Sequence, residues 1–175
     1  QAAQATPFMV AVSLVQALLH RHTGQNDIAL GTLVAGRDRA ELVDLVGFFV
    51  NTLVLRQRVD PKAPFADLLA ATRETCLAAM ADQDCPFEAL VDAVGVARDT
   101  SRNPLFDVLV AWQDSLPEPP ALPGLSARFA EPPFPYAKFD LGFHFERDGD
   151  RIRAAVEYDT DLFDGESIDA LLRRL

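Results

Sequence analysis

The side chains best suited to catalysis or metal binding do not form a recognisable set in this sequence. The three histidines are His20, His22 and His144. The first two lie two residues apart on a predicted helix, so they point to different sides and cannot hold one metal ion together. None of the three has a nearby Ser/Asp or Cys arrangement that would activate a nucleophile. We interpret them as a helix-end pair and a surface imidazole.

The cysteines and the acidic residues give the same result. Cys76 and Cys85 show neither CxxC spacing nor a matching set of histidines, so the sequence predicts reduced thiols and no zinc site. Asp82, Asp84 and Glu88 surround the start of a predicted helix, where carboxylates more often cap the helix than transfer protons. GxGxxG, Walker-type, GxSxG and HExxH motifs do not occur. We therefore predict no catalytic, cofactor-binding or metal-binding residue in this chain.

Composition and charge exclude two classes of partner. The 175 residues are 49% hydrophobic and 24% charged, which is typical of one folded unit. A formal net charge of -10 would repel nucleic-acid phosphates and anionic lipids, and no Lys or Arg cluster reverses it locally. No apolar stretch is long enough to span a membrane. The chain begins with Gln1 and has no basic leader, so we expect a part of a longer, cytoplasmic protein without nucleic-acid or membrane partners.

The hydrophobic patterns predict helices and strands in mixed order, and therefore an α/β fold with helices packed against strands. The predicted elements are a helix over 8–22, a strand over 28–34, a short amphipathic turn or helix ending at Gly47 and a strand reaching about Val59, helices over 64–81 and 86–95, a strand over 105–112, a hairpin over 139–158, and a last helix capped by Asp164.

Two stretches interrupt these elements. A polar turn over 98–104 ends at a proline and leads into the strand over 105–112, whose residues Phe106, Val108 and Val110 are predicted to share one face. Further along, seven of the twelve prolines fall between 117 and 135. They predict an extended excursion that contains at most one short strand, over 125–130, and that reaches toward a partner surface.

Two residues near the second strand suggest a special environment. Gly47 marks either a bulge or a place where other backbone or a ligand comes close. Asn51 is a polar residue in an otherwise apolar strand, and if buried it needs hydrogen-bond partners. It is therefore either a satisfied interior amide or a residue that lines a channel.

Three segments resemble, in order and in approximate spacing, signature segments of nonribosomal peptide synthetase condensation domains. They are VGFFVNT at 46–52, DQDCPFE at 82–88 and RDTSRNPLF at 98–106. KFDL at 138–141 and EYDTDLF at 157–163 are similar to the final hairpin and helix entry of the same domains. The likeness covers nearly the whole chain and corresponds to the second half of the domain. It departs from the family at Asp82, where the family more often has His.

This resemblance implies a fold and a location for each part. Residues 1–175 would be the C-terminal lobe of a chloramphenicol-acetyltransferase-like domain, in which two lobes form a V with a tunnel between them. This lobe would be an α/β unit of the α+β sandwich type, with helices packed on a mixed sheet. Residues from about 35 to 51 resemble the floor loop beneath the tunnel, and residues from about 115 to 136 resemble the latch that crosses to the other lobe. The residues expected at the tunnel or lobe junction are Gly47, Asn51, Arg102 and Asn103.

The resemblance also implies an activity and its partners. The amino group of an acceptor, held as a thioester on one carrier protein, would attack the donor thioester arriving from another. Phosphopantetheine would arrive on these donor and acceptor peptidyl carrier proteins, and further partners would be the N-terminal lobe and the adjacent adenylation domain. The catalytic histidine of the family's HHxxxDG motif belongs to the first lobe and is absent here, so this chain alone is expected to be inactive.

Two alternatives keep the same fold. The chain would then be a lobe of an epimerisation or heterocyclisation domain, or a non-catalytic docking platform. The VGFFVNT segment favours condensation.

Overall fold

A computed structural model describes residues 4–96, 99, 102–114, 121–128, 130 and 136–175. Within these residues the chain forms five helices and five strands. In order they are α1 (Pro7–Thr23), β1 (Asp27–Val34), α2 (Ala40–Val43), β2 (Asn51–Arg58), α3 (Phe65–Ala81), α4 (Phe87–Val94), β3 (Val108–Gln113), β4 (Leu141–Asp148), β5 (Arg151–Tyr158) and α5 (Gly165–Leu172). The predicted class, helices on a mixed sheet, is confirmed.

The five strands form one sheet in the order β2-β1-β3-β4-β5. The two outer pairs are antiparallel: β1 pairs with β2 from Asp27 opposite Arg58 to Val34 opposite Asn51, and β4 forms a hairpin with β5. The central strand β3 runs parallel to both of its neighbours. The sheet therefore consists of two antiparallel pairs joined by one strand.

The main hydrophobic core lies on one face of this sheet. Leu30, Leu55, Val110 and Phe143 project from four adjacent strands toward that face, and all four are buried. Helices α1, α3 and α5 cover them, with Val12 and Val15 of α1, Cys76 of α3 and Ile168 of α5 in the same cluster. The tertiary burial of these apolar side chains, rather than helix propensity alone, accounts for the stability of the helices.

The opposite face of the sheet has a different cover. Gly31 lies there on β1, and the ring of Phe106 occupies the space above it, because a Cβ added at Gly31 would lie 2.1 Å from that ring. Phe87, the first residue of α4, contacts the same ring. This face is therefore covered by aromatic side chains and by α4, which has no buried residue of its own.

Local capping residues mark both ends of α1 and the start of α5, as the sequence predicted. The Thr6 hydroxyl accepts a hydrogen bond from the Met9 amide at the start of α1, and Gly24 ends that helix with φ 72°. The Asp164 carboxylate accepts from the Ser167 amide at 2.8 Å and caps α5. These bonds satisfy amides that have no partner within the helix.

Several predicted bounds were wrong. The strand expected from residue 105 begins at Val108, because Leu105 adopts a left-handed conformation with φ 71° and turns the chain. Phe106 therefore does not share a strand face with Val108. Leu109 is buried together with Val110, so β3 is covered on both faces rather than half-buried. The short turn or helix expected to reach Gly47 is a helix that ends at Val43.

The proline-rich excursion, about 115–136, lies largely outside the described residues, as do Arg98, Thr100 and Ser101 of the polar turn. The residues of the excursion that are described, 121–128, 130 and 136, form neither helix nor strand, so the strand expected from residue 125 is absent over 125–128. None of the helices in the described part of the chain has the length and apolar character needed to cross a membrane.

Candidate functional site

Asn51 connects two of the three signature segments. Its side-chain amide group donates hydrogen bonds to the backbone carbonyls of Gln83 at 2.7 Å and Cys85 at 2.8 Å. Its side-chain oxygen accepts from the backbone amide of Phe87 at 3.2 Å and from that of Thr52 at 2.9 Å. Asn51 therefore holds the turn between α3 and α4 against the start of β2 and caps α4.

Aromatic contacts connect the second segment with the third. Phe87 and Phe106 pack edge to face with ring centroids 5.9 Å apart. Phe106 in turn stacks on Phe139, which precedes β4, at 5.5 Å. Such pairs add to the stabilisation gained by burial. Segments 82–88, 98–106 and 138–141 thus meet around one ring, that of Phe106.

Arg102 and Asn103 fasten the loop before β3. The Arg102 guanidinium donates to both carboxylate oxygens of Asp107, with Nε 3.2 Å from Oδ1. This hydrogen bond raises the pKa of Arg102 above its ordinary value. Asn103 donates to the backbone carbonyl of Lys138 at 3.1 Å. Both side chains are therefore committed to protein partners at the start of β3 and before β4.

A crowded group of carboxylates lies beside this ion pair. Burial raises the pKa of the Asp140 carboxyl, and the negative charges of Asp107 and Asp159 raise it further. The positive charge of Arg102 opposes them by lowering it. Arg102 therefore compensates part of the repulsion at the point where β3 and β4 begin.

Gly47 belongs to a separate arrangement. It lies in residues 35–51, which we call the floor segment, and its carbonyl accepts a hydrogen bond from Arg37 at 3.3 Å. A Cβ at Gly47 would lie 2.8 Å from the ring of Phe49, so a glycine is needed for that ring to pack here. On the outside of the segment, large apolar side chains are exposed to solvent; they are Val43, Leu45, Val46, Phe48 and Val50.

Of the four residues expected at the tunnel or junction, three contribute to one connected cluster. Asn51 joins it through Phe87, and Arg102 and Asn103 join it through the loop that carries Phe106. Gly47 instead contacts Arg37. Sequence reasoning missed the roles of Arg37 and Phe106, because one is a charged residue at a strand end and the other looked like an ordinary strand residue. Two glycines could have indicated these contacts: Gly31, which lies under the Phe106 ring, and Gly36, which precedes Arg37.

The contacts described above hold neighbouring segments of the chain in position. The described residues include no group of three or more His, Cys, Asp or Glu that could hold a metal ion. Burial raises the pKa of Cys76 to about 11, so this thiol is protonated at neutral pH. His144 is exposed on β4, where its ring lies over Gly142. The arrangement can hold a surface in shape and supply backbone and apolar contacts to whatever covers it.

Comparison with known proteins gives consistent matches over the whole chain. The family model described as Condensation domain matches residues 1–175. Phosphinothricin tripeptide synthetase PhsC of Streptomyces viridochromogenes is 42% identical over 172 residues, which are 98% of this chain and 16% of that protein. Tyrocidine synthase 3 of Brevibacillus parabrevis is 38% identical over 99% of this chain and 3% of its own length. Surfactin synthase subunit 1 of Bacillus subtilis is 39% identical over 96% of this chain and 5% of its own length. The chain thus spans only a small part of these relatives.

Solved structures share the fold. The X-domain from teicoplanin biosynthesis superposes with a TM-score of 0.89 at 23% identity, covering 98% of this chain and 40% of that one. The first condensation domain of the calcium-dependent antibiotic synthetase, in complex with a substrate analogue, superposes with a TM-score of 0.72 at 22% identity. The match covers 98% of this chain and 38% of that one. At this identity the likeness concerns the fold alone. Both solved chains extend well beyond the region that matches.

Proposed function

The chain belongs to the condensation domain family, and from this premise we propose that it is the C-terminal lobe of a domain that forms peptide bonds in a nonribosomal peptide synthetase. The curated relatives that it resembles include a tripeptide synthetase, a tyrocidine synthase and a surfactin synthase. Their similarity over nearly the full chain supports a shared role for this region. The family resemblance of segments 46–52, 82–88 and 98–106 supports the same assignment.

One structural observation carries the proposal. The floor segment exposes five large apolar side chains within residues 43–50, among which Val46 is 104% and Phe48 is 90% exposed. Large apolar side chains exposed together mark interaction sites in folded proteins. Covering the Phe48 side chain alone would contribute roughly 1.5–3 kcal/mol. We assign this surface to closure against the N-terminal lobe, which would complete the substrate tunnel.

In the proposed reaction the acceptor's amino nitrogen attacks the carbonyl carbon of the donor thioester. A C–N bond forms, the C–S bond breaks, and the donor's phosphopantetheine thiol leaves on its carrier protein. The nitrogen loses a proton, which in this family's pattern passes to a histidine of the other lobe. The residues of this chain position the reactants: Asn51, Arg102 and Asn103 hold the segments that line the junction.

The experiment compares the intact protein with this chain alone. Each is supplied with a donor and an acceptor peptidyl carrier protein loaded as aminoacyl thioesters, and the dipeptidyl thioester is measured by mass spectrometry. We expect product only with the intact protein, and none when the acceptor carrier is left unloaded. Product from the 175-residue chain alone would contradict the assignment to a lobe without the catalytic histidine. Absence of product from the intact protein would contradict the condensation activity.

A further inference from the structure

The floor segment is folded with a charged side chain inside and apolar side chains outside. Arg37 is partly buried within it, whereas Val46 and Phe48 lie on its outer surface. Loops normally bury their few apolar residues and leave cations in water. The inversion indicates that a specific set of contacts to Arg37 holds the segment.

These contacts are made by the guanidinium group. It donates hydrogen bonds to the backbone carbonyls of Leu42, of Val43 at 3.5 Å and of Gly47 at 3.3 Å. Its carbon atom also lies 4.4 Å from the centroid of the Phe49 ring, a cation–π contact. One side chain therefore joins the end of α2, the middle of the segment and Phe49, two residues before β2.

Two glycines make room for this arrangement. A Cβ at Gly36, which has φ 61°, would lie 2.0 Å from the carbonyl oxygen of Phe49. A Cβ at Gly47 would lie 2.8 Å from the Phe49 ring. Phe49 is thereby partly buried in contact with Arg37 and close to Gly47, whereas its neighbour Phe48 is exposed. A side chain at either glycine would force this arrangement to shift.

We propose that Arg37 is a positioning residue that preforms the floor segment, so that Val46 and Phe48 are presented to the N-terminal lobe as one rigid apolar surface. The inference rests on the proposed function, since this is the surface that we assign to lobe closure and to the substrate tunnel. The occupant is the remainder of the same domain, because solved chains of this fold are matched over only 38–40% of their length. Preforming the segment avoids the entropic cost of ordering it during closure.

The chemistry of the contacts requires arginine. A guanidinium presents several donors in a fixed planar fork and can also stack on a ring, whereas a lysine ammonium is a compact point charge on a flexible stem. Arg37→Lys therefore keeps the charge but cannot reproduce all of these contacts at once. We expect the lysine variant to behave like Arg37→Ala, which distinguishes the proposal from a general effect of positive charge.

The first measurement is amide hydrogen exchange on the intact protein. Arg37→Ala and Arg37→Lys are expected to accelerate exchange over 45–50 by about tenfold or more, because the segment opens locally when its contacts are lost. The β4–β5 hairpin should exchange as in the wild type. The matched control is Arg39→Ala, which removes a nearby arginine that makes none of these contacts. Unchanged exchange over 45–50 in both Arg37 variants would overturn the proposal.

The second measurement is turnover with carrier-bound substrates. If the floor segment is loosened, the enzyme binds the ground state and the transition state less tightly by the same amount. The KM for the loaded acceptor carrier should therefore rise about tenfold while kcat changes little. A purely structural role would instead lower the active fraction at constant KM, and that result would also overturn the proposal. If the wild-type protein makes no peptide while Arg37 variants still loosen the segment, the proposed activity fails and the positioning role remains.

Discussion

Replacing Asn51 with alanine removes four hydrogen bonds at one place, two to the carbonyls of the α3–α4 turn, one that caps α4 and one to the next residue along β2. The cap contributes about 1 kcal/mol. Each bond to a turn carbonyl contributes about 0.5 kcal/mol, the low end of the range, because water can reach this partly exposed turn. We therefore expect the free energy of unfolding to fall by about 2 kcal/mol, with the loss concentrated at α4.

The aspartate variant separates the accepting bonds from the donating ones. Asn51→Asp keeps the accepting oxygen that caps α4 but removes the amide group that donates to the carbonyls of Gln83 and Cys85. Its deficit relative to the wild type should therefore be at least about 1 kcal/mol, the contribution of the two lost bonds.

Urea unfolding of the intact domain, combined with hydrogen exchange over α4, measures both effects. Asn103→Ala is the matched control, since its side chain makes one bond, to the carbonyl of Lys138, and its loss should cost about 1 kcal/mol or less. If Asn51→Ala unfolds like the wild type and α4 remains protected, the positioning role is refuted. If stability is unchanged while turnover is lost, Asn51 contacts substrate and lines the channel.

Two further predictions concern the sheet and the carboxylates beside it. Gly31→Ala should lower the free energy of unfolding by about 1–3 kcal/mol, because the new methyl group overlaps a packed ring. Gly142→Ala should cost less, because its methyl group would overlap only the exposed His144 ring and would lie in ordinary contact, 3.6 Å, with the Cβ of Glu157; equal losses in thermal melts would contradict this. Asp140→Asn should raise stability near neutral pH and leave it unchanged below pH 3.8, because a raised folded pKa means that stability is lost as pH rises through it. A variant that is less stable than the wild type at neutral pH would show that the carboxylate is held favourably.

The parts of the fold that follow from local chemistry could be predicted from the sequence. Thr6 and Gly24 mark the ends of α1, and Asp164 marks the start of α5, because each satisfies backbone groups within a few residues. The hairpin of β4 and β5 follows from strict alternation and a turn at Gly149. These signals require no knowledge of the rest of the chain.

The parts that depend on distant contacts could not be predicted. Phe106 matched the strand alternation, but Leu105 turns the backbone and places the ring above Gly31, about 75 residues away. Asn51 was recognised as needing partners, yet the carbonyls that it binds lie more than 30 residues along the chain. Arg37 looked like part of a strand break, because nothing in its neighbours shows which carbonyls will accept from it.

The position of β3 has a consequence for how the chain folds. The outer pairs β1–β2 and β4–β5 each join strands that are neighbours in the sheet and close in sequence, so each can form early and by itself. The six residues of β3 must then join the two pairs, and the pairing between β3 and β1 contains a single residue pair, Gly31 with Leu109. The β1–β3 pairing should therefore form last during folding and separate first during unfolding.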